Sequence, residues 1–234
     1  MLRAKMRLMD GTETMHTRAR RRPAWTRWLT VPVVALLAGC LTTQFETEAV
    51  IPQPLVTRIP VVVGLYVSPA FRDAVHREER DGTDYVIAIG KAQSAGFDRL
   101  MQAMFARVVP VTSVAAGAVD DAEVRGVFEP VLEDFSFVTP RDTGTSLYAV
   151  SLKYRINAYT PGGQAVDSWT FTGYGAQASS SVPGQSKTAL QQAAGLAMRD
   201  AGAKIAVEFR EQAIVRGLID ASAPLVEVES QPPP

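Results

Sequence analysis

Few residues in this chain have the types and spacing that chemistry needs. Cys40 is the only cysteine, and one thiol can form neither an intramolecular disulfide nor a thiolate metal cluster. What remains open to it is modification. His76 is the only histidine beyond residue 40. An acid–base or metal role would require partners at defined spacing, and none flanks it, so it reads as a surface residue. The carboxylates Asp73, Glu78, Glu79, Glu129, Glu133 and Asp134 are scattered. They could include an acid–base pair, but they read first as a solvated face. Ser179-Ser180-Ser181 lacks the Gly-x-Ser-x-Gly setting of a nucleophile elbow. Gly173-Tyr174-Gly175 lacks both the third glycine of a dinucleotide fingerprint and the Lys-Ser/Thr pair of a phosphate loop, and reads as a bend in a strand. No catalytic residue, cofactor-binding residue or metal ligand is assigned, and no cofactor is expected.

The elements that must position these residues follow from periodicity. Pro60–Val67 is a β-branched run bounded by prolines, which favours a buried strand. Phe71–Asp84 is dense in charge and reads as a solvated loop or short helix with a turn at Gly82, followed by a short strand at Tyr85–Ile89. Lys91–Val108 is helical, with Phe97, Leu100, Met101, Met104, Phe105 and Val108 on one stripe. Val109–Val114 reads as a strand in which Pro110 marks an edge or an end. Three long strands come next. Within Val124–Thr139 the apolar parity switches between Leu132 and Phe135, which predicts a β-bulge near Glu133-Asp134. Leu147–Tyr159 alternates cleanly, setting Tyr148, Val150, Leu152, Tyr154 and Ile156 against Ser151, Lys153, Arg155 and Asn157. Pro161–Gln164 is a glycine-containing hairpin turn leading into Val166–Ala178. Ser186 caps a long helix to about Leu218, whose stripe of Leu190, Ala194, Ala197, Met198, Ala201, Ile205 and Phe209 is small enough to approach a sheet closely. The order implies one α+β domain over residues 60–221, a mostly antiparallel sheet with two helices on one face, and a disordered Pro-rich tail over 222–234.

The net charge of zero conceals an asymmetry. Of 24 basic and 24 acidic residues, eight and two respectively lie in Met1–Gly39, leaving 16 and 22 beyond it and a net charge of −6. A mildly acidic domain has no electrostatic footprint for nucleic acid, and none is expected as a partner. In the first segment, Arg18, Arg20, Arg21, Arg22 and Arg27 precede an apolar run from Trp28 to Ala38. That run is too short for a spanning helix, which needs about 20 apolar residues. Small residues and Cys40 follow it. These are the n-region, h-region and cleavage site of a secretory signal. Met15 is an alternative start that leaves Met1–Thr14 outside the signal.

Leu37-Ala38-Gly39-Cys40 behind that run resembles the lipobox of bacterial lipoproteins, the resemblance covering about Met15 to Cys40. It implies cleavage before Cys40, a diacylglyceryl thioether on its sulfur and acylation of its new amine, which together anchor a protein firmly in a lipid bilayer. Leu41, rather than Asp, follows Cys40; in that family this implies the outer membrane, facing the periplasm. Residues 40–59, with Pro52 and Pro54 and no sustained period, read as a lipid-anchored linker. The domain outline is similar to small envelope lipoproteins: the lipopolysaccharide-assembly lipoprotein, the curli-secretion lipoprotein and the activators of peptidoglycan synthases. The expectation is a non-catalytic accessory that binds an envelope protein or glycan, with Lys153, Arg155 and Asn157 as candidate contacts. A periplasmic hydrolase or small-ligand-binding lipoprotein is the alternative.

Overall fold

The computed structural model of the chain describes residues 41–46, 54–179 and 185–215. All of them lie in the unit Cys40–Pro234. The signal segment, Cys40 itself and the tail over 222–234 lie outside the described residues.

Among the described residues, eight strands form two sheets. The strands are β1 Leu41–Glu46, β2 Ile59–Tyr66, β3 Val75–Arg80, β4 Thr83–Ala88, β5 Phe105–Val111, β6 Val124–Val138, β7 Leu147–Tyr159 and β8 Ala165–Ala178. The helices are α1 Pro69–Arg72, α2 Gly90–Met104, α3 Pro140–Thr143 and α4 Ser186–Val215. The larger sheet has the order β5-β2-β6-β7-β8 and the smaller β1-β4-β3.

The α+β class and the single helix-bearing face stand, but the sheets are mixed rather than mostly antiparallel. β2 is parallel to both β5 and β6, and β1 is parallel to β4. Parallel neighbours need a long crossover, and residues 67–104, containing α1, β3, β4 and α2, supply one between β2 and β5. Two further expectations change. Leu41–Glu46, expected within the linker, is a strand whose six residues pair with β4. The charged run expected to be a loop or short helix begins within α1 but also contains β3, antiparallel to β4 across a turn in which Asp81 (φ 51°) and Gly82 (φ 71°) are both left-handed. That is the backbone an Asp-Gly hairpin turn requires. The first long helix also ends earlier than its stripe, because the β-branched run that follows Phe105 continues as β5.

The bulge in β6 is where the parity switch places it, with pairing to β7 shifting between Leu132 and Asp134. It keeps Phe128 before it and Phe135 and Phe137 after it on one face. With Tyr154, Ile156, Trp169 and Phe171 these rings form the inner face of the larger sheet. Phe209 of α4 makes edge contacts with Phe128 (5.2 Å) and Trp169 (5.0 Å), and Phe97 of α2 does so with Tyr154 (5.1 Å). Each such ring contributes on the order of 2–3 kcal/mol by leaving water. Every residue of the predicted α4 stripe is buried.

Candidate functional site

The opposite face of β6, β7 and β8 carries the residues singled out in the sequence, and they are not isolated. Lys153 Nζ and Arg155 Nη1 each lie 3.2 Å from a carboxylate oxygen of Glu133. Glu133 is the extra residue of the bulge, which turns it onto this face beside Lys153. One rung along, Asn157 Nδ2 donates to Glu129 Oε2 at 3.1 Å, and the Tyr159 hydroxyl donates to the same oxygen at 2.8 Å. Burial, seconded by the Glu129 carboxylate, pushes the Tyr159 phenol above its ordinary pKa. The face is thus an ordered ladder of two acids, two bases, an amide and a phenol. Lys153 and Arg155 remain 48% and 42% exposed as side chains, so they stay available to a second molecule. Glu129 and Glu133 were legible only as scattered carboxylates; their roles depend on which rung of β7 they meet.

The free edge of β8 is partly closed. Asp200 Oδ2 of α4 accepts from the Tyr174 backbone N–H (2.9 Å), and Lys204 Nζ donates to the Thr172 carbonyl (2.8 Å) and to Asp200 (2.8 Å). The Lys204 hydrogen bond is the main cause holding the Asp200 carboxyl below its ordinary pKa. A strand adding here would have to displace both side chains.

His76, expected on a surface loop, is half-buried on β3. Its ring lies 4.8 Å from that of Phe135 and 5.9 Å from that of Phe137. Its Nε2 donates to Glu78 Oε2 at 3.1 Å. Arg80 also pairs with Glu78, donates to Asp142 (2.8 Å) and the Phe137 carbonyl (2.9 Å), and sits 4.5 Å above the Phe137 ring. These groups bind one another and fasten the hairpin to β6 and α3. Asp73, Glu79 and Asp134 are exposed. Among the described residues no cluster of three or more His, Cys, Asp or Glu could hold a metal ion. A surface groove of ≈ 540 Å³ between Tyr66, Arg72 and Pro110 has mostly apolar walls, and its one charged residue, Arg72, donates to the Val67 carbonyl. Gly173 and Gly175 mark no phosphate loop; α4 crosses directly over them.

No family model matches the chain, and no curated protein sequence does. Solved structures do resemble it. A Xanthomonas campestris protein of the DUF330 family matches 73% of this chain and 99% of its own, at 11% identity and a TM-score of 0.45. A candidate lipoprotein from Caulobacter crescentus matches 41% of this chain and 71% of its own, at 12% identity and a TM-score of 0.33. No helix among the described residues is long and apolar enough to cross a membrane.

Proposed function

We propose that the protein is a non-catalytic lipoprotein of the bacterial outer membrane, acylated at Cys40 and facing the periplasm, whose domain binds an envelope protein or glycan through the outer face of β6–β8. The lipobox-like Leu37-Ala38-Gly39-Cys40 and Leu41 after it support the anchor and its destination. The observation that carries the binding reading is the ladder itself. Lys153, Arg155 and Asn157 are held by Glu133 and Glu129 on a rigid sheet yet remain partly exposed, so a partner meets side chains already ordered. The partly closed β8 edge favours this face over strand addition at that edge.

In-cell photocrosslinking from positions 153, 155 and 157 tests the reading, with the exposed Arg77 and Glu79 of β3 as controls. Discrete adducts from the ladder and not from β3 are expected. Their absence, together with turnover of a periplasmic substrate by the purified protein, overturns it in favour of a hydrolase. Replacing Cys40 by Ser is expected to abolish outer-membrane fractionation; unchanged fractionation and mobility would remove the anchor.

A further inference from the structure

We propose that one end of the domain, formed by the start of β1, the Asp81–Gly82 turn and the β6–β7 connection over Pro140–Ser146, rests directly on a phospholipid bilayer. The inference builds on acylation of Cys40 as read above. The expected linker would have held the domain away from the membrane, but Leu41, the residue after Cys40, already pairs in the smaller sheet. Adjacent Cα atoms are about 3.8 Å apart, so no tether separates an acylated Cys40 from the fold.

The neighbours of Leu41 identify the end that faces the lipid. Leu41 pairs with Thr83, the first residue of β4, and Thr83 with Arg80, the last of β3. Arg80 in turn bonds the Phe137 carbonyl and Asp142, joining this edge to the end of β6 and to α3. Strands about 4.8 Å apart and layers about 10 Å apart put all of these at one end. Val138 closes β6 and Leu147 opens β7 at this same end, and both are large apolar residues left 37% and 43% exposed. Between them α3 presents Arg141 to solvent, while Thr143, Gly144, Thr145 and Ser146 are uncharged. Asp81 is an exposed carboxylate there, Asp142 pairs with Arg80, and Lys187 is exposed at the start of α4 beside the end of β8, whose Ser179 N–H donates to the Ser146 carbonyl. Among the described residues this end therefore has an apolar rim and the exposed cations Arg141 and Lys187, a surface suited to lipid headgroups and first methylenes. At the other end of the larger sheet stands the Pro161–Gln164 hairpin with Val166, 48% exposed. The 14 residues of β8 separate the two ends by about 45 Å.

The test uses the full acylated chain in vesicles of phosphatidylethanolamine and phosphatidylglycerol. Acylation blocks Cys40, so the variants Leu147→Cys, Arg141→Cys and Val166→Cys each carry one thiol for an environment-sensitive fluorophore. Intact mass reports the acyl chains, and circular dichroism reports the fold. Brominated lipids are expected to cause loss of fluorescence at 147 and 141 and none at 166. Acyl mass with equal responses at all three positions overturns the docking and leaves the anchor standing. Absence of acyl mass overturns the anchor, and the docking with it. A blue shift at 147 that grows with protein density but ignores bromine overturns the proposal in favour of contact with a second copy.

Discussion

Helix α4 and the β3–β4 hairpin cover the inner face of the same sheet by opposite means. Where residues 193–201 of α4 cross β8, the sheet presents glycines instead of side chains. A Cβ on Gly173 would lie 2.1 Å from the Ala197 carbonyl oxygen, and one on Gly175 2.1 Å from that of Ala193. Ala193, Ala197 and Ala201 face them, all fully buried. Under the hairpin the contact is made by bulk and charge: Tyr85 on Phe137 (4.9 Å), His76 on Phe135, and Arg80 over the Phe137 ring. Backbone against backbone leaves no room for an added atom. The hairpin contact has side chains that can shift and carboxylates that respond to pH.

The sharpest way to break this contrast is Gly173→Ala. The obstructing atom is a helix carbonyl, which cannot rotate away, so a loss of about 4 kcal/mol or of cooperative urea unfolding is expected. Adding Ala201→Gly should not rescue it, because the carbonyl stays in place. Rescue would show that α4 shifts freely on β8.

Phe137→Ala is expected to cost about 3 kcal/mol, as a buried aromatic truncation does, since it removes the ring shared by Tyr85, His76 and Arg80. Unlike Gly173→Ala it should keep a cooperative transition. A loss under about 1 kcal/mol would mean that the hairpin seals itself without that ring.

β1 touches both regions. It pairs with β4, Gln191 of α4 donates to the Glu46 carbonyl, and Lys91 of α2 lies 3.2 Å from the Glu46 carboxylate. A chain beginning at Thr57 should therefore be less stable than one beginning at Leu41, by about 2 kcal/mol if a few net hydrogen bonds are lost. Equal melting temperatures would return Leu41–Glu46 to the role of a linker.

The smallest effect is pH. Burial raises the Glu78 pKa, but hydrogen bonds from His76 and Arg80 outweigh it and hold the carboxyl below its ordinary value. The Thr139 backbone N–H is the main cause lowering Asp142, with burial opposing and Arg80 assisting. Both groups titrate lower when folded than when unfolded. Their contribution is thus complete above the unfolded values, near pH 4, and is lost as pH falls through the folded ones. Because both are near the surface, the loss should be small. Melting scans from pH 6 to pH 3 should show a steeper fall for the wild type than for Glu78→Gln with Asp142→Asn. Parallel curves would remove charge from the hairpin contact.

Local pattern alone determined the interior of the long strands. The alternation of β7, the Pro161–Gln164 turn and the α4 stripe are set by periods of two and 3.6 residues, which survive without knowledge of partners. So is the bulge, since a single extra residue must reverse parity. Strand β3 was not legible in this way. Its inward residues are His76, Glu78 and Arg80 and its outward ones include Arg77 and Glu79, so no apolar–polar alternation marks it. Only the Phe135 and Phe137 rings and Asp142, contributed by distant β6 and α3, make that inward face possible. Long-range pairing likewise decided that β2 lies parallel between β5 and β6, that β1 joins the smaller sheet, and that Glu133 meets both Lys153 and Arg155. In each case the energy comes from residues far apart in sequence, which a local period does not encode.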